Sequence, residues 1–257
     1  MRLATFNLLH GRSLSDGEVH AERIAAAVAE LDADVLGLQE VDRGQSRSGL
    51  LDLTVIAANA LDAPAHRFAA ALTGTPGETW RPWRGADDND QPLYGIALVS
   101  RWPVLRWQVT RLPAAPIRSP LYVPGSGIRL ATDEPRVLLA AVVQAPAGPM
   151  TVATTHLSFV PGWNLRQLRV AIRSLHGLPA PRVLLGDLNL PTAAACACSG
   201  WRPLGRAATY PSGSPRAQLD HILADPRGAE RLGRVVQVRT PRLDVSDHRP
   251  LVVQLDP

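Results

Sequence analysis

The chain has 257 residues, 46% of them hydrophobic, and a formal net charge of +4, which is enough apolar material for one large α/β core. Its 27 basic residues are all arginine, spread from Arg2 to Arg249. That distribution excludes a dense nucleic-acid-binding tail and leaves a mild bias toward anionic partners. The excess of Ala, Gly, Pro and Arg reads as coding bias more than functional selection.

The opening MRLATFNLLHG is too short and too soon interrupted by Asn7 and His10 for a signal peptide, and no apolar stretch free of charge reaches about 18 residues. A cytoplasmic, monomeric protein without a membrane span is expected. Cys196 and Cys198 are the only cysteines. They stand too close for an ordinary staple and lack a second pair for zinc.

The elements follow in chain order. Arg2 to Asn7 reads as a strand, and Val19 to Leu31 as an amphipathic helix with Ile24, Val28 and Leu31 on one face and Asp16 as its N-cap. A strand from Val35 to Gln39 precedes a helix from Leu50 to Leu61. Strands are expected at His66 to Leu72, Gly95 to Ser100, Val104 to Thr110, Val137 to Gln144 and Met150 to Thr155. Trp163 to Leu175 keeps Leu165, Leu168, Ile172 and Leu175 in helical phase. Strands then recur at Val183 to Gly186, Leu219 to Leu223, Arg234 to Arg239 and Pro250 to Leu255. Two stretches, Thr73 to Pro92 and Leu112 to Glu134, are rich in Pro, Gly and charge; they read as long loops that select the substrate. Neither separates halves that could each complete a core, so residues 1–257 are expected to form one domain.

Polar residues stand at the ends of these apolar runs: Asn7, Glu40, His156, Asp187 with Asn189, Asp220, and Asp247 with His248. An unpaired polar group loses roughly 2–7 kcal/mol on leaving water, so so many stranded groups point to one convergent site. Glu40 follows the strand VLGLQ, where open α/β sheets gather ligands, although a surface acid reads the same way. Asp187 and Asn189 are two apart and share a side of an extended segment; a turn before Pro191 would also favour them. Hard oxygens of Glu40 and Asp247 suit Mg²⁺ or Mn²⁺, while His248 suits acid–base work. Asp220 could fix the tautomer of His248, and His221 beside it reads as a packing or surface residue. His156 suits an exposed strand end or a satisfied core position. Arg136, opening a strand, could contact phosphate or solvent, and His10 ranks behind the others.

The ordered segments TFNLLHG, LQEVD, YGIALVSR, THLS, GDLN, QLDHIL and SDHRPL resemble the motifs of the endonuclease/exonuclease/phosphatase superfamily from residue 5 to about 251. The resemblance implies a four-layered α/β/β/α sandwich of two mixed β-sheets flanked by helices. It implies Glu40 as metal ligand, Asp247 near the same ion, and Asn7 near both metal and phosphate. Asp187 would orient or deprotonate water, Asn189 and Arg136 would bind phosphate, and His248 paired with Asp220 would be the catalytic imidazole. His156 would assist the leaving oxygen or the phosphate. The chain departs from the pattern at Gly95-Ile96, where relatives more often carry Gly-Asn.

The expected activity is Mg²⁺- or Mn²⁺-dependent hydrolysis of phosphate esters by in-line attack of water. Either Asp187 or His248 could be the base. Nucleic acid, DNA or RNA, leads as substrate; Trp80, Arg81, Trp83 and Arg84 in one long loop and Arg118 and Arg129 in the other could line a groove, ring a headgroup pocket or simply be solvated. A phosphatase or phospholipase-like esterase acting on a small phosphorylated molecule or lipid headgroup is the alternative, and a non-catalytic binding module a remote one.

Overall fold

The first strand shows how the chain divides its side chains. Leu3 points to one apolar cluster, Ala4 and Phe6 to another, because successive strand residues face opposite sides of a sheet. Every residue from Leu3 to Asn7 is buried, so both faces are covered, as in strands packed between two layers. The computed structural model describes residues 1–256 apart from 89, 117 and 124–126.

In chain order the elements are β1 (Arg2–Asn7), α1 (Ala21–Leu31), β2 (Val35–Arg43), α2 (Leu53–Ala60), β3 (Ala65–Gly74), β4 (Trp80–Pro82), β5 (Leu93–Ser100) and β6 (Val104–Leu112). Then come β7 (Arg118–Val123), β8 (Gly127–Thr132), β9 (Arg136–Ala145), β10 (Gly148–His156), α3 (Trp163–Leu175), β11 (Arg182–Asp187) and α4 (Thr192–Ser199). The chain ends with β12 (Arg202–Pro203), β13 (Asp220–Ala224), β14 (Arg234–Arg239) and β15 (Leu251–Asp256).

One sheet has the order β14-β15-β1-β2-β5-β3-β4 and the other β12-β13-β11-β10-β9-β6. Each is mixed. The parallel pairs are β1 with β2 and β10 with β11, and α1 and α3 supply the crossovers that parallel strands require. Leu3, Val35, Ile96 and Leu98 meet Val137, Leu139, Val152 and Leu185 between the sheets. Outside, Phe6, Leu36 and Leu38 pack on Ile24, Val28 and Leu53, while Leu138 and Leu184 pack on Leu168, Ile172 and Ala195. The result is the expected α/β/β/α sandwich. Phe6 is fully buried, and its truncation to Ala should cost about 3–5 kcal/mol.

Several boundaries differ from expectation. Helix α1 starts at Ala21, after His20, and Asp16 does not cap it; the Asp16 carboxylate accepts from Glu18 N–H and pairs with Arg23. Helix α2 starts at Leu53 because Asp52 caps it, accepting from the N–H groups of Thr54 and Val55. The two long stretches are not structureless: one carries β4, the other the β7–β8 hairpin. Pro82 and Pro120 hid those strands, since proline is tolerated only where a strand is not hydrogen-bonded on both sides. Helix α4 is alanine-rich with only Ala195 buried and lacks an apolar stripe to read. Among the described residues no helix is long and apolar enough to cross a membrane.

Candidate active site

Strand register brings the stranded polar residues together. Asn7 pairs with Gln39 across β1 and β2, and His156 with Asp187 across β10 and β11. Asp187 also stands opposite Asp220 of antiparallel β13. The carboxyl ends of both parallel pairs therefore lie at one edge of the sandwich, as open sheets present ligand sites. Glu40 falls in a β-bulge between Leu38 and Val41 with φ 53°. Asn189 (φ 49°) and Ser246 (φ 75°) share that left-handed region, which non-glycine residues rarely adopt and which concentrates at functional sites. Gly186 has no substitute: at φ 147° a Cβ there would sit 2.0 Å from Thr155 O. It delivers Asp187 to the edge.

Hydrogen bonds then fix the side chains. Asn7 Nδ2 donates to Glu40 Oε1 at 3.0 Å and to Asp187 Oδ2 at 3.1 Å, and Asn7 Oδ1 accepts from Leu9 N at 3.1 Å. His248 Nδ1 donates to Asp220 Oδ2 at 2.9 Å, and His248 Nε2 lies 3.8 Å from Asp187 Oδ2. His156 Nε2 approaches the same oxygen at 3.5 Å. The other Asp187 oxygen accepts from Asn189 N at 3.0 Å, so the turn chemistry and the site chemistry both hold at this residue. Asn189 Nδ2 donates to Leu157 O and lies 3.3 Å from His156 Nε2.

A cleft of about 590 Å³ opens over this array. Glu40, Arg136, His156, Asp187, Asn189, Asp247 and His248 line it. Asn7 and Asp220, 1% and 0% exposed, lie beneath. His10 also reaches the cleft. His221 does not: it is buried and bonds Leu190 O at 2.8 Å, which decides for packing over a surface position. Ile96 belongs to the inter-sheet core.

Burial and charge set the proton affinities. Burial pushes Glu40 up to about 7; the Asn7 hydrogen bond opposes this and the Asp247 charge adds to it. Burial likewise raises Asp187, against the pull of His248. For His248, burial works against the charged ring, but Asp220 and Asp187 outweigh it and hold it up at about 10. His156 is driven well below its ordinary value by burial, then by Arg136 and His248, so it stays neutral.

Two groups of residues could hold a cation. Donor atoms of Asp187, Asp220 and His248 lie within 4.8 Å of one another, but the Asp220–His248 hydrogen bond already uses two of them. Glu40 and Asp247 offer oxygens alone, and their mutual repulsion in a buried setting is what a hard divalent cation relieves. The Glu40 and Asp247 set fits Mg²⁺ or Mn²⁺.

Sequence reasoning missed four residues here. Tyr210 packs its ring on His248, centroids 4.8 Å apart. Ser246 donates to Asn7 O at 2.6 Å and accepts from His248 N at 3.0 Å. Tyr94 and Arg47 line the cleft. Of the basic and aromatic residues that could line a groove, Arg81 forks onto Asp88, Trp83 lies 4.5 Å beneath Arg111, and neither Trp80 nor Arg84 lines the cleft. Arg118 is exposed on the hairpin. The Arg129 side chain is outside the described residues.

The fold matches several solved structures. A protein described as endonuclease/exonuclease/phosphatase from Beutenbergia cavernae is 24% identical, with TM-score 0.71 over 98% of this chain and 70% of that one. A mannosyl-6-phosphatase from Bacteroides thetaiotaomicron is 16% identical, with TM-score 0.64 and both chains fully covered. Sphingomyelinase C from Streptomyces griseocarneus is 19% identical, with TM-score 0.60 over 100% of this chain and 99% of that one. Among curated proteins no sequence matches this one. The sequence itself matches the Endonuclease/Exonuclease/phosphatase family over residues 4–248, and with its motifs gathered in a single cleft the chain belongs to that family.

Proposed function

We propose that the protein is a Mg²⁺- or Mn²⁺-dependent phosphoesterase acting on a small phosphorylated molecule. The observation that carries this reading is the run from buried Asp220 through His248 to Asp187, the last two lining one cleft with Glu40. Glu40 and Asp247 would hold the ion, with Asn7 fixing Glu40. When bound, the ion would neutralise phosphate charge and the charge developing in the transition state.

The chain's own groups divide the remaining work. Asp187, with its raised proton affinity and its oxygen facing the cleft, is the group to orient water and take its proton. His248 rests as the imidazolium, which suits charge stabilisation on phosphoryl oxygens better than proton abstraction. Arg136 is 6% exposed, its Nε lacks a partner among the described residues, and Glu134 is 3.6 Å away; an oxyanion in the cleft would satisfy it. Asn189 and neutral His156 add hydrogen-bond donors toward the same oxygens.

A small ester is favoured over nucleic acid because Arg81 and Trp83 are engaged elsewhere and Trp80 and Arg84 lie off the cleft. The phosphatase and sphingomyelinase among the similar structures are compatible with that choice. The test is hydrolysis of plasmid DNA, an abasic-site duplex, bis-p-nitrophenyl phosphate, sugar phosphates and inositol phosphates with Mg²⁺, Mn²⁺ or EDTA, beside His248→Ala. EDTA-sensitive turnover of small esters that His248→Ala lacks is expected. Cleavage confined to DNA would restore the nuclease reading.

A further inference from the structure

We infer that Arg47 is a second anion-recognition point in the cleft, selecting phosphoesters that carry a further phosphate or carboxylate group. The inference rests on the phosphoesterase reading.

Arg47 sits in a short 3₁₀ turn, Ser46–Ser48, that follows β2 and ends at left-handed Gly49. Its Nε and Nη2 donate to the two oxygens of Asp42 at 2.8 and 2.7 Å, and Ser48 Oγ donates to the same carboxylate at 3.1 Å. Asp42 is fully buried. The guanidinium also lies over Tyr94, with Cζ 5.6 Å from the ring centroid. A guanidinium held in a fork by a carboxylate and laid on an aromatic face has lost its rotamer freedom before any ligand arrives.

The pairing leaves Nη1 without a partner among the described residues, and Arg47 keeps 24% of its side-chain surface and lines the cleft beside Glu40. An arginine serving only to neutralise Asp42 has no need of that exposure. Four carboxylates, Glu40, Glu134, Asp187 and Asp247, stand on the cleft walls beside Arg136 and His248. A second anionic group entering the cleft meets repulsion unless a cation faces it. Arg136 is nearly sealed and close enough to His156 to depress its proton affinity, which assigns it to the reacting phosphate. Arg47 is left for the other group.

The test is calorimetric binding to the full chain in Mg²⁺, with unhydrolysable probes: methylphosphonate, phosphonoacetate, methylenebisphosphonate, and homologues of the last two with longer methylene spacers. Arg47→Met alone would strand the Asp42 carboxylate, so it is paired with Asp42→Asn, and Arg47→Lys, which keeps a cation for Asp42, is the second variant. Wild type should prefer one doubly anionic probe to methylphosphonate by about tenfold or more, the scale of a charge-assisted contact. Both variants should shrink that ratio, the double variant more. A preferred phosphonoacetate would identify a carboxylate, a preferred bisphosphonate a phosphate. Binding of methylphosphonate with no preference, or a preference that survives in the variants, overturns the inference. Failure to bind even methylphosphonate overturns the phosphoesterase reading beneath it.

Discussion

Asn7 donates to Asp187 at 3.1 Å across 180 residues of sequence, and with that bond the first strand of one sheet is tied to the functional strand of the other. The same Nδ2 donates to Glu40, so one amide separates the buried Asp187 carboxylate from the half-buried Glu40. Replacing it with Ala leaves both without that donor, at a cost of about 1–3 kcal/mol. Asn7→Ala should lower kcat by at least an order of magnitude while the protein still unfolds cooperatively in urea. A turnover equal to wild type would show that the carboxylates need no such spacer.

The Asp220–His248 pair makes a pH prediction. Folding raises His248 from 6.5 to about 10, with burial opposing and Asp220 and Asp187 favouring the charged ring. A raised value means that the stabilisation is complete below about pH 6.5 and is lost as pH rises through about 10. Asp220→Asn should flatten that alkaline decline in urea midpoints between pH 7 and 10. It should also cut kcat by about 10²–10⁴-fold with little change in KM. An unchanged alkaline decline would mean that Asp220 does not hold the proton on His248.

Glu40 shifts stability in the same direction as His248, in a lower pH window. Its ionisation is disfavoured up to about pH 7, by burial first, so the ion-free protein loses stability as pH rises from its ordinary 4.5 through 7, and a bound cation reverses the loss. Mg²⁺ should bind about tenfold more tightly at pH 8 than at pH 6, with proton release on binding at the lower pH. Calorimetry in buffers of different ionisation enthalpy measures both. Equal affinity at the two pH values would remove Glu40 from the ligand set.

The chain's ends-of-strand chemistry was legible because a carboxylate or amide closing an apolar run has a cost that invites explanation: Glu40, Asp187 and Asp220 stood out for that reason. Helices α1 and α3 were legible from their apolar spacing. Tyr94 was hidden inside an apolar run that reads as core, and Arg47 was one arginine of 27. Arg81 looked available in sequence, yet Asp88 seven residues later takes its guanidinium. Long-range pairing of this kind leaves no local pattern. The positive φ of Glu40 was equally invisible, since it arises from the bulge against β5.

If the substrate is a small ester, its KM should vary little between 50 and 200 mM NaCl, whereas a backbone-tracking nuclease would lose binding steeply. Arg81→Ala should lower the thermal midpoint, because Asp88 loses the guanidinium that forks onto it, and leave kcat and KM unchanged. A steep salt dependence shared by Arg81→Ala would return that loop to the substrate.

The most direct measurement is the turnover of Glu40→Gln against wild type on p-nitrophenyl phosphate and bis-p-nitrophenyl phosphate at saturating Mg²⁺, with the thermal midpoint of each protein recorded alongside. Metal-dependent hydrolysis at this cleft predicts a fall in kcat/KM of about 10²-fold or more with a metal-free midpoint equal to or above that of wild type, since a partly buried charge has been removed. Equal rates at saturating Mg²⁺ would contradict it.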